Sequence, residues 1–221
     1  MGYASRERQR MQSRLAGLTV AVDVQHVYRP SHPTDEGSIF TDAAGQHITE
    51  AHLSAVYAIA LCSWLKDRGA TVITNDRATG RLVGEYWTRN HQAAAWGACA
   101  YLACHVNAGG GKYATVEYMS SQPGAALALA VLAMLPGAAP ELVGSRARAL
   151  SRGDRGAVCI ESFPPDRGAA VILEPFFGDC PAHRPLWAAP RLAGLAGAIG
   201  EGVARWWENQ WTRRAQAQPP A

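Results

Sequence analysis

The chain has 221 residues, of which 48% are hydrophobic and 18% charged, and its formal net charge is +3. This length suits one well-filled α/β domain, and the composition is that of a globular chain rather than a disordered one. The net positive charge is too small for the electrostatic footprint of a nucleic-acid-binding protein, although it suits an anionic polymer as well as a neutral substrate.

The N-terminal stretch MGYASRERQRMQSRLAG is positively charged but has no apolar segment before the first predicted strand. It therefore lacks the pattern of a secretory signal peptide, and we expect synthesis in the cytosol. No window approaches the roughly 18 uninterrupted apolar residues of a membrane span, so we expect no stable membrane insertion. The five cysteines form no CxxC pair, which indicates neither a disulfide framework nor a zinc ribbon.

The first half of the chain predicts a βαβ unit. Residues 1–15 are polar and rich in arginine, which predicts an exposed arm. The run LTVAVDV, residues 18–24, predicts a buried strand, and a long, turn-rich loop follows over residues 25–47. Helical spacing of apolar residues predicts a helix over residues 49–69, with Thr49 as its N-cap. The run ATVITND then predicts a second strand.

The second half continues the alternation of strands and helices. It predicts helices over residues 85–98, 123–135, 140–150 and 186–211, and strands over residues 100–106, 114–120 and 169–177. This order predicts a single α/β domain with a twisted, largely parallel sheet and helices on both faces. We place this domain at residues 16–212 and expect a disordered tail at 213–221.

Four polar side chains stand where predicted elements meet the same sheet edge. His26 follows the first strand, His105 ends the strand YLACHV and Glu174 ends the strand AAVILE, while Glu50 opens the first helix. In open α/β sheets, ligands bind outside the carboxyl ends of the strands. Two histidines and a carboxylate form a catalytic zinc site that leaves a fourth position for water, and a second carboxylate could be the general base.

Each of these residues also has an inert interpretation. A strand-end histidine is more often structural than ligating, and a glutamate in a first helical turn is favoured by the helix dipole alone. Glu174 is harder to explain in this way, because a carboxylate buried among apolar neighbours is costly without a partner. The combination of His26, Glu50, His105 and Glu174 favours the metal site.

The order of these residues also matches a known family. The segments VAVDVQH, ITEAHLSAVYAIALCSWLKDRGATVITNDR, RNHQAAAWGACAYLACHVNA and VILEPFFGD resemble the zinc-dependent N-acetylmuramoyl-L-alanine amidases, which are cell-wall hydrolases. The resemblance implies that residues 16–212 are a zinc amidase catalytic domain. It implies that His26, Glu50 and His105 bind zinc and that Glu174 activates the water.

Three further residues match family positions and are candidates for substrate contact: Asn107, Arg89 and Glu117. Asn107 follows the second histidine, in the segment HVNA. Glu117, in TVEYMS, faces either the cleft, as a similarly placed glutamate does in the family, or solvent.

The sequence departs from the family pattern at several points. Gln25 and Val27 flank His26 where the family usually has glycines, which changes the backbone freedom of this loop and could narrow or reshape the cleft. The loop over residues 27–49 adds His32 and His47 as rival ligands. Pro175 and Phe176 follow Glu174, where the family more often has a small residue and glycine. None of these departures removes a ligand type.

The resemblance implies hydrolysis of the amide between the lactyl group of muramic acid and L-alanine in peptidoglycan. Without a signal peptide, the expected source is a phage or prophage endolysin that acts at the cell wall. The alternatives are a zinc peptidase or deacylase on a related fold, and a non-catalytic wall-binding protein with a degenerate site. A serine hydrolase is poorly supported, because Ser120 and Ser121 have no His–Asp partner pattern near them.

Overall fold

The structure, a computed structural model, describes residues 14–27, 29–75 and 81–217. The strands are β1 Thr19–Val24, β2 Ile39–Thr41, β3 His47–Thr49, β4 Thr71–Thr74, β5 Ala100–Cys104, β6 Thr115–Met119, β7 Arg146–Leu150 and β8 Ala169–Glu174. The helices are α1 Glu50–Lys66, α2 Tyr86–Ala95, α3 Ala125–Leu132, α4 Leu135–Ala138 and α5 Ala189–Ala217. Two 3-10 segments cover Ala157–Cys159 and Pro181–Trp187.

Six strands form the central sheet, in the order β4-β1-β5-β8-β6-β7, and β2 and β3 form a separate hairpin. Every pairing in the large sheet is parallel except that of β6 with β8. The prediction of a largely parallel sheet is therefore confirmed. Because β1, β5 and β8 are neighbours that run in the same direction, their carboxyl ends meet at one edge of the sheet.

Helices cover both faces of the sheet, as predicted. One face packs against α1, α3 and α5 through the larger apolar cluster, to which β1 contributes Val20 and Val22. The other face packs against α2 and the 3-10 segment Ala157–Cys159 through a cluster that includes Ala21. Each fully buried valine or leucine of these clusters stabilises the fold by about 1.5–3 kcal/mol.

Helix α1 begins as the sequence predicts. The side chain of Thr49 caps it by accepting a hydrogen bond from the His52 N–H at 3.2 Å. Gly69 has φ +93° beyond the end of the helix, a conformation that few residues other than glycine adopt. This start places Glu50 in the first turn of α1, facing the carboxyl edge of the sheet.

The helix predicted over residues 140–150 is wrong. Residues 146–150 form β7, an edge strand paired in parallel with β6 from Thr115↔Arg146 to Met119↔Leu150. Alanine and arginine favour helices intrinsically, but the backbone hydrogen bonds offered by β6 outweigh that weak preference. The long predicted loop also contains the β2–β3 hairpin, with Ile39 paired to Thr49.

The two ends of the chain are described only in part. Residues 1–13 of the predicted arm and residues 218–221 of the predicted tail lie outside the described residues. At the end of the arm, Leu15 is fully buried, and Arg14 forms an ion pair with Glu201 of α5 at 2.5 Å. Helix α5 continues to Ala217, past the predicted domain boundary at residue 212.

Candidate metal centre

His26 lies on the turn after β1 and has φ +58°, the left-handed region that non-glycine residues rarely adopt. Such a conformation costs about 1–3 kcal/mol and persists only where the surroundings hold it. The His26 N–H donates to the Tyr86 hydroxyl at 3.3 Å. Arg89 donates to the carbonyls of Val24 and Val27, on either side of the histidine. These contacts hold the turn that directs the imidazole.

The ring orientation of His26 is set by Asp35. Nδ1 of His26 lies 3.0 and 3.1 Å from the two carboxylate oxygens of Asp35. Asp35 in turn accepts hydrogen bonds from Arg29 at 2.8 Å and from the Gly37 N–H at 3.0 Å. Because Nδ1 is engaged, Nε2 is the nitrogen directed at the site, and it lies 3.4 Å from Oε1 of Glu50.

These neighbours also set the charges. Burial opposes protonation of His26, but the carboxylates of Glu50 and Asp35 outweigh it and raise the pKa of the imidazole. Burial alone would raise the pKa of Asp35, yet the Gly37 N–H and His26 hold it below its usual value. Asp35 is therefore a carboxylate that stabilises positive charge on His26.

Glu50 lies between the two histidines. Its Oε1 lies 2.9 Å from Nδ1 of His105 and accepts a hydrogen bond from the Val106 N–H at 3.2 Å. Its Oε2 accepts from the Ser38 N–H at 3.0 Å. Burial would raise the pKa of Glu50, but the contacts with His105 and His26 outweigh it and hold the pKa well below its usual value. Glu50 is thus ionised, and its carboxylate is placed where it could bind the same metal ion as both imidazoles.

Gly37 leaves room for this arrangement. A Cβ atom at Gly37 would lie 2.6 Å from Oε2 of Glu50 and 2.9 Å from Cδ2 of His26, both closer than real contacts allow. The residue also has φ +71°. Only glycine satisfies both the backbone conformation and the space between the two side chains.

His105 comes from the sheet. It directly follows β5, its N–H donates to the Leu173 carbonyl at 2.9 Å, and its own carbonyl accepts from the Tyr57 hydroxyl at 3.0 Å. Its Nδ1 faces Glu50, whereas its Nε2 lies 3.6 Å from the thiol sulfur of Cys159. The sheet and its neighbours therefore fix the ring with one nitrogen toward the site.

The structure brings together His26, Glu50 and His105. Each offers one ligand atom, and these atoms all lie within 4.8 Å of one another, so the group could hold a metal ion. The rings of the two histidines meet edge to face, with centroids 5.0 Å apart. The rival histidines His32 and His47 are exposed and belong to no such group among the described residues.

Glu174 ends β8 at the same edge of the sheet. Its Oε2 accepts a hydrogen bond from Nδ2 of Asn107. Burial, together with the carboxylates of Glu117 and Glu50, raises the pKa of Glu174 to about 8. Its affinity for protons therefore differs sharply from that of Glu50, and such a separation is characteristic of residues that transfer protons near neutral pH.

Glu117 lies on the same face of the sheet as Glu174. In the antiparallel pairing of β6 with β8, Glu117 is opposite Ile172 and Thr115 is opposite Glu174. Glu117 is buried, so the alternative in which it faces solvent is wrong. It accepts a hydrogen bond from Arg148 at 2.8 Å, and burial raises its pKa in spite of that cation.

Arg89 does not lie at a surface where a substrate could reach it, which corrects the expectation of substrate contact. The residue is fully buried, and it donates to Oδ1 of Asp23 at 3.0 Å and to the Gly84 carbonyl at 2.8 Å.

Gln25 is buried in the same network and donates to Oδ2 of Asp23 at 2.5 Å. Its side chain is therefore directed into the protein, and it does not narrow the cleft.

Sequence reasoning did not identify Asp35 or Cys159, the partners of the two histidines. Asp35 had a usable signal, because an aspartate two residues before Gly37 is typical of a turn whose carboxylate bonds the backbone. Cys159 lies on a 3-10 segment 54 residues from His105, and no local pattern connects the two.

Together these features define an α/β domain with a His–Glu–His group that could hold a metal ion and a carboxylate of raised pKa, both at the carboxyl edge of its sheet. No protein-family model and no curated protein matches the chain. Solved structures do share its fold.

The N-acetylmuramoyl-L-alanine amidase AmiC2 of Nostoc punctiforme superposes with a TM-score of 0.68 at 19% identity, covering 87% of this chain and 99% of that one. The catalytic domain of the N-acetylmuramoyl-L-alanine amidase CwlV from Bacillus (Paenibacillus) polymyxa var. colistinus gives 0.67 at 17%, covering 86% and 98%. The catalytic domain of an endolysin targeting Clostridia Difficile gives 0.52 at 19%, covering 85% and 97%. The chain therefore has the fold shared by these amidase and endolysin structures. Within its described residues, no helix is both long and apolar enough to span a bilayer.

Proposed function

We propose that the protein is a zinc-dependent N-acetylmuramoyl-L-alanine amidase, which hydrolyses the amide between the lactyl group of muramic acid and L-alanine in peptidoglycan. The observation that carries the proposal is the grouping of His26, Glu50 and His105 at the sheet edge where Glu174 ends β8. The shared fold with solved amidases supports it. Peptidoglycan as substrate would place the activity at the cell wall.

The three side chains suit zinc. Two imidazole nitrogens and a carboxylate are the donor set of catalytic zinc sites. The carboxylate of Asp35 on Nδ1 of His26 is the outer-shell contact that ligating histidines usually make. Bound zinc supplies Lewis-acid chemistry, since it polarises a carbonyl and lowers the pKa of a water molecule.

Glu174 is the proposed general base and then general acid. Its raised pKa allows it to take a proton from the attacking water and to deliver it to the departing nitrogen of L-alanine. In this reaction the C–N bond breaks, a C–O bond forms on the lactyl carbonyl, and the two protons of the water end on the new carboxyl group and the new amine. The positive charge of a metal ion bound by His26, Glu50 and His105 would favour the ionised, basic form of Glu174.

Product analysis tests the proposal. Purified peptidoglycan is digested with the zinc-loaded protein and with Glu174→Gln, and the products are identified by mass spectrometry. We expect stem peptides with free L-alanine amino groups and glycan strands with free lactyl carboxylates. Glu174→Gln should bind zinc normally but turn over more slowly by a factor on the order of 10² to 10⁴, because an amide cannot accept the proton.

Other outcomes would replace the proposal. Cleavage only within the stem peptide would indicate a zinc peptidase. Zinc and peptidoglycan binding without any product would indicate a wall-binding protein. If Glu174→Gln digests the wall at the parental rate, Glu174 is not the base.

A further inference from the structure

Asn107 lies two residues after His105, and its side chain contacts the carboxylate of Glu174. We propose that Asn107 is a positioning residue for the general base: its amide N–H holds Oε2 of Glu174, which leaves Oε1 as the oxygen that handles the proton. This inference rests on the proposed function, in which Glu174 moves that proton.

The second hydrogen bond of the Asn107 side chain shows which way its amide group is oriented. The N–H of Ala108 lies 2.8 Å from Oδ1 of Asn107. A backbone N–H can only donate, so an acceptor must face it, and the amide oxygen is the only acceptor on this side chain. The amide nitrogen must then face Glu174. Asn107 therefore acts as a donor to the carboxylate.

The backbone around Asn107 is anchored to the segment that follows β8. Its N–H donates to the Phe176 carbonyl at 3.0 Å, and its carbonyl accepts from the Gly178 N–H at 2.9 Å. Beyond it, the carboxylate of Asp179 accepts from the Gly109 N–H at 2.7 Å and from the Gly110 N–H at 3.0 Å. The donor and the base thus sit on two neighbouring strand ends that are bonded to each other. Because these strand ends are bonded to each other, Asn107 can hold the Glu174 side chain in place with little loss of conformational entropy during the reaction.

The charges around Glu174 shift its pKa in opposite directions, so the hydrogen bond from Asn107 affects whether the carboxyl group is ionised. The carboxylates of Glu117 and Glu50 favour its protonated form, whereas Arg148 and Arg155 favour its ionised form. A hydrogen bond donated to a carboxylate also favours the ionised form. Removal of the Asn107 donor should therefore both loosen Glu174 and make it harder to ionise.

Two variants separate this role from a purely structural one. Asn107→Asp keeps the shape of the side chain and the oxygen that accepts from the Ala108 N–H. It replaces the amide donor with a carboxyl group, so that Glu174 faces either a second negative charge or a proton shared between the two carboxyl groups. Asn107→Ala removes both contacts. We expect kcat to fall on the order of 10-fold in Asn107→Ala and further in Asn107→Asp, by analogy with other outer-shell contacts. KM and zinc content should stay near the parental values, and the acidic limb of the pH profile should move to higher pH.

Asn209→Asp is a matched control, since it makes the same change at an exposed position of α5. It should leave kcat unchanged. If Asn107 only stabilises its own turn, Asn107→Asp should match the parent and Asn107→Ala should be the slower variant. That order would overturn the inference. Because Asn107→Asp is nearly isosteric, it preserves the test if Asn107→Ala does not fold.

A titration that needs no turnover separates this inference from the proposed function. The Glu174 carboxyl resonance is followed by NMR in zinc-loaded protein labelled with ¹³C at glutamate, and it is assigned with Glu174→Gln. We expect its pKa to rise in Asn107→Ala relative to the parent, and an unchanged pKa would overturn the inference. If the parent does not cleave peptidoglycan, the proposed amidase function fails, and this titration still decides whether Asn107 controls Glu174.

Discussion

His26 and His105 face the same carboxylate but are held in different ways. His26 sits on a turn with a positive φ, and charged groups support it: Asp35 on its ring and Arg89 on its backbone. His105 follows a buried strand, its backbone is bonded into the sheet, and its outer nitrogen, Nε2, lies 3.6 Å from the weakly polar thiol of Cys159. The position of His26 thus depends on particular side chains, whereas that of His105 depends on the register of the sheet.

This difference predicts how metal binding at the proposed centre responds to substitution. Outer-shell changes beside His26 should weaken metal binding strongly, because the carboxylate of Asp35 engages Nδ1 and so sets the orientation of that ring. Comparable changes beside His105 should matter less, since β5 and its neighbours hold the residue. The following variants test the contrast, from the largest expected effect to the smallest.

Glu50→Gln should have the largest effect, because Glu50 faces both histidines. It removes the charged ligand, so zinc affinity should fall by more than the roughly 10- to 100-fold typical of outer-shell changes. Activity should return in part when zinc is added in excess. Zinc affinity is measured by competition with a chelator, with Glu174→Gln as the matched carboxylate-to-amide control. Loss of zinc in the control but not in Glu50→Gln would show that the two roles are reversed.

Asp35→Asn should come next. The amide keeps the shape of the side chain but removes the negative charge that accepts from Nδ1 of His26 and from Arg29. We expect zinc affinity to fall about 10- to 100-fold, with the far-ultraviolet circular dichroism spectrum unchanged. An affinity within about two-fold of the parent would mean that the turn alone positions His26.

Cys159→Ala should have the smallest effect. The thiol is a weak partner for Nε2 of His105, and the strand holds the residue without it. We expect zinc affinity to fall by less than the roughly 10-fold lower limit for carboxylate partners, in the same chelator assay. A loss as large as that of Asp35→Asn would contradict the difference between the two histidines.

The sequence could predict which residues lie together at the candidate site, because they occupy regular places in the fold. His26, His105 and Glu174 follow or end buried strands, and parallel strands bring such positions to one edge. Glu50 could be placed because Thr49 fixes the start of α1. The fold class followed from the same alternation of strands and helices.

The remaining features depend on contacts between distant segments. Strand β7 has a helix-favouring composition and becomes a strand only because β6 offers it an edge. Arg89 resembles a residue of the amidase sequence pattern, but only the packed structure shows that its guanidinium donates its hydrogen bonds to Asp23 and to backbone carbonyls. Cys159 lies near His105 on a segment that no periodicity in the sequence connects to His26, Glu50 or His105.

X-ray absorption at the zinc edge, on protein loaded with one equivalent of zinc, tests the metal centre most directly. For the centre formed by His26, Glu50 and His105 we expect only nitrogen and oxygen neighbours, at about 2.0–2.2 Å, with scattering from two imidazoles. In His26→Ala one imidazole contribution should disappear. A sulfur neighbour at about 2.3 Å would place Cys159 among the ligands, and an unchanged spectrum in His26→Ala would move the site to His32 or His47; either result would contradict the proposed centre.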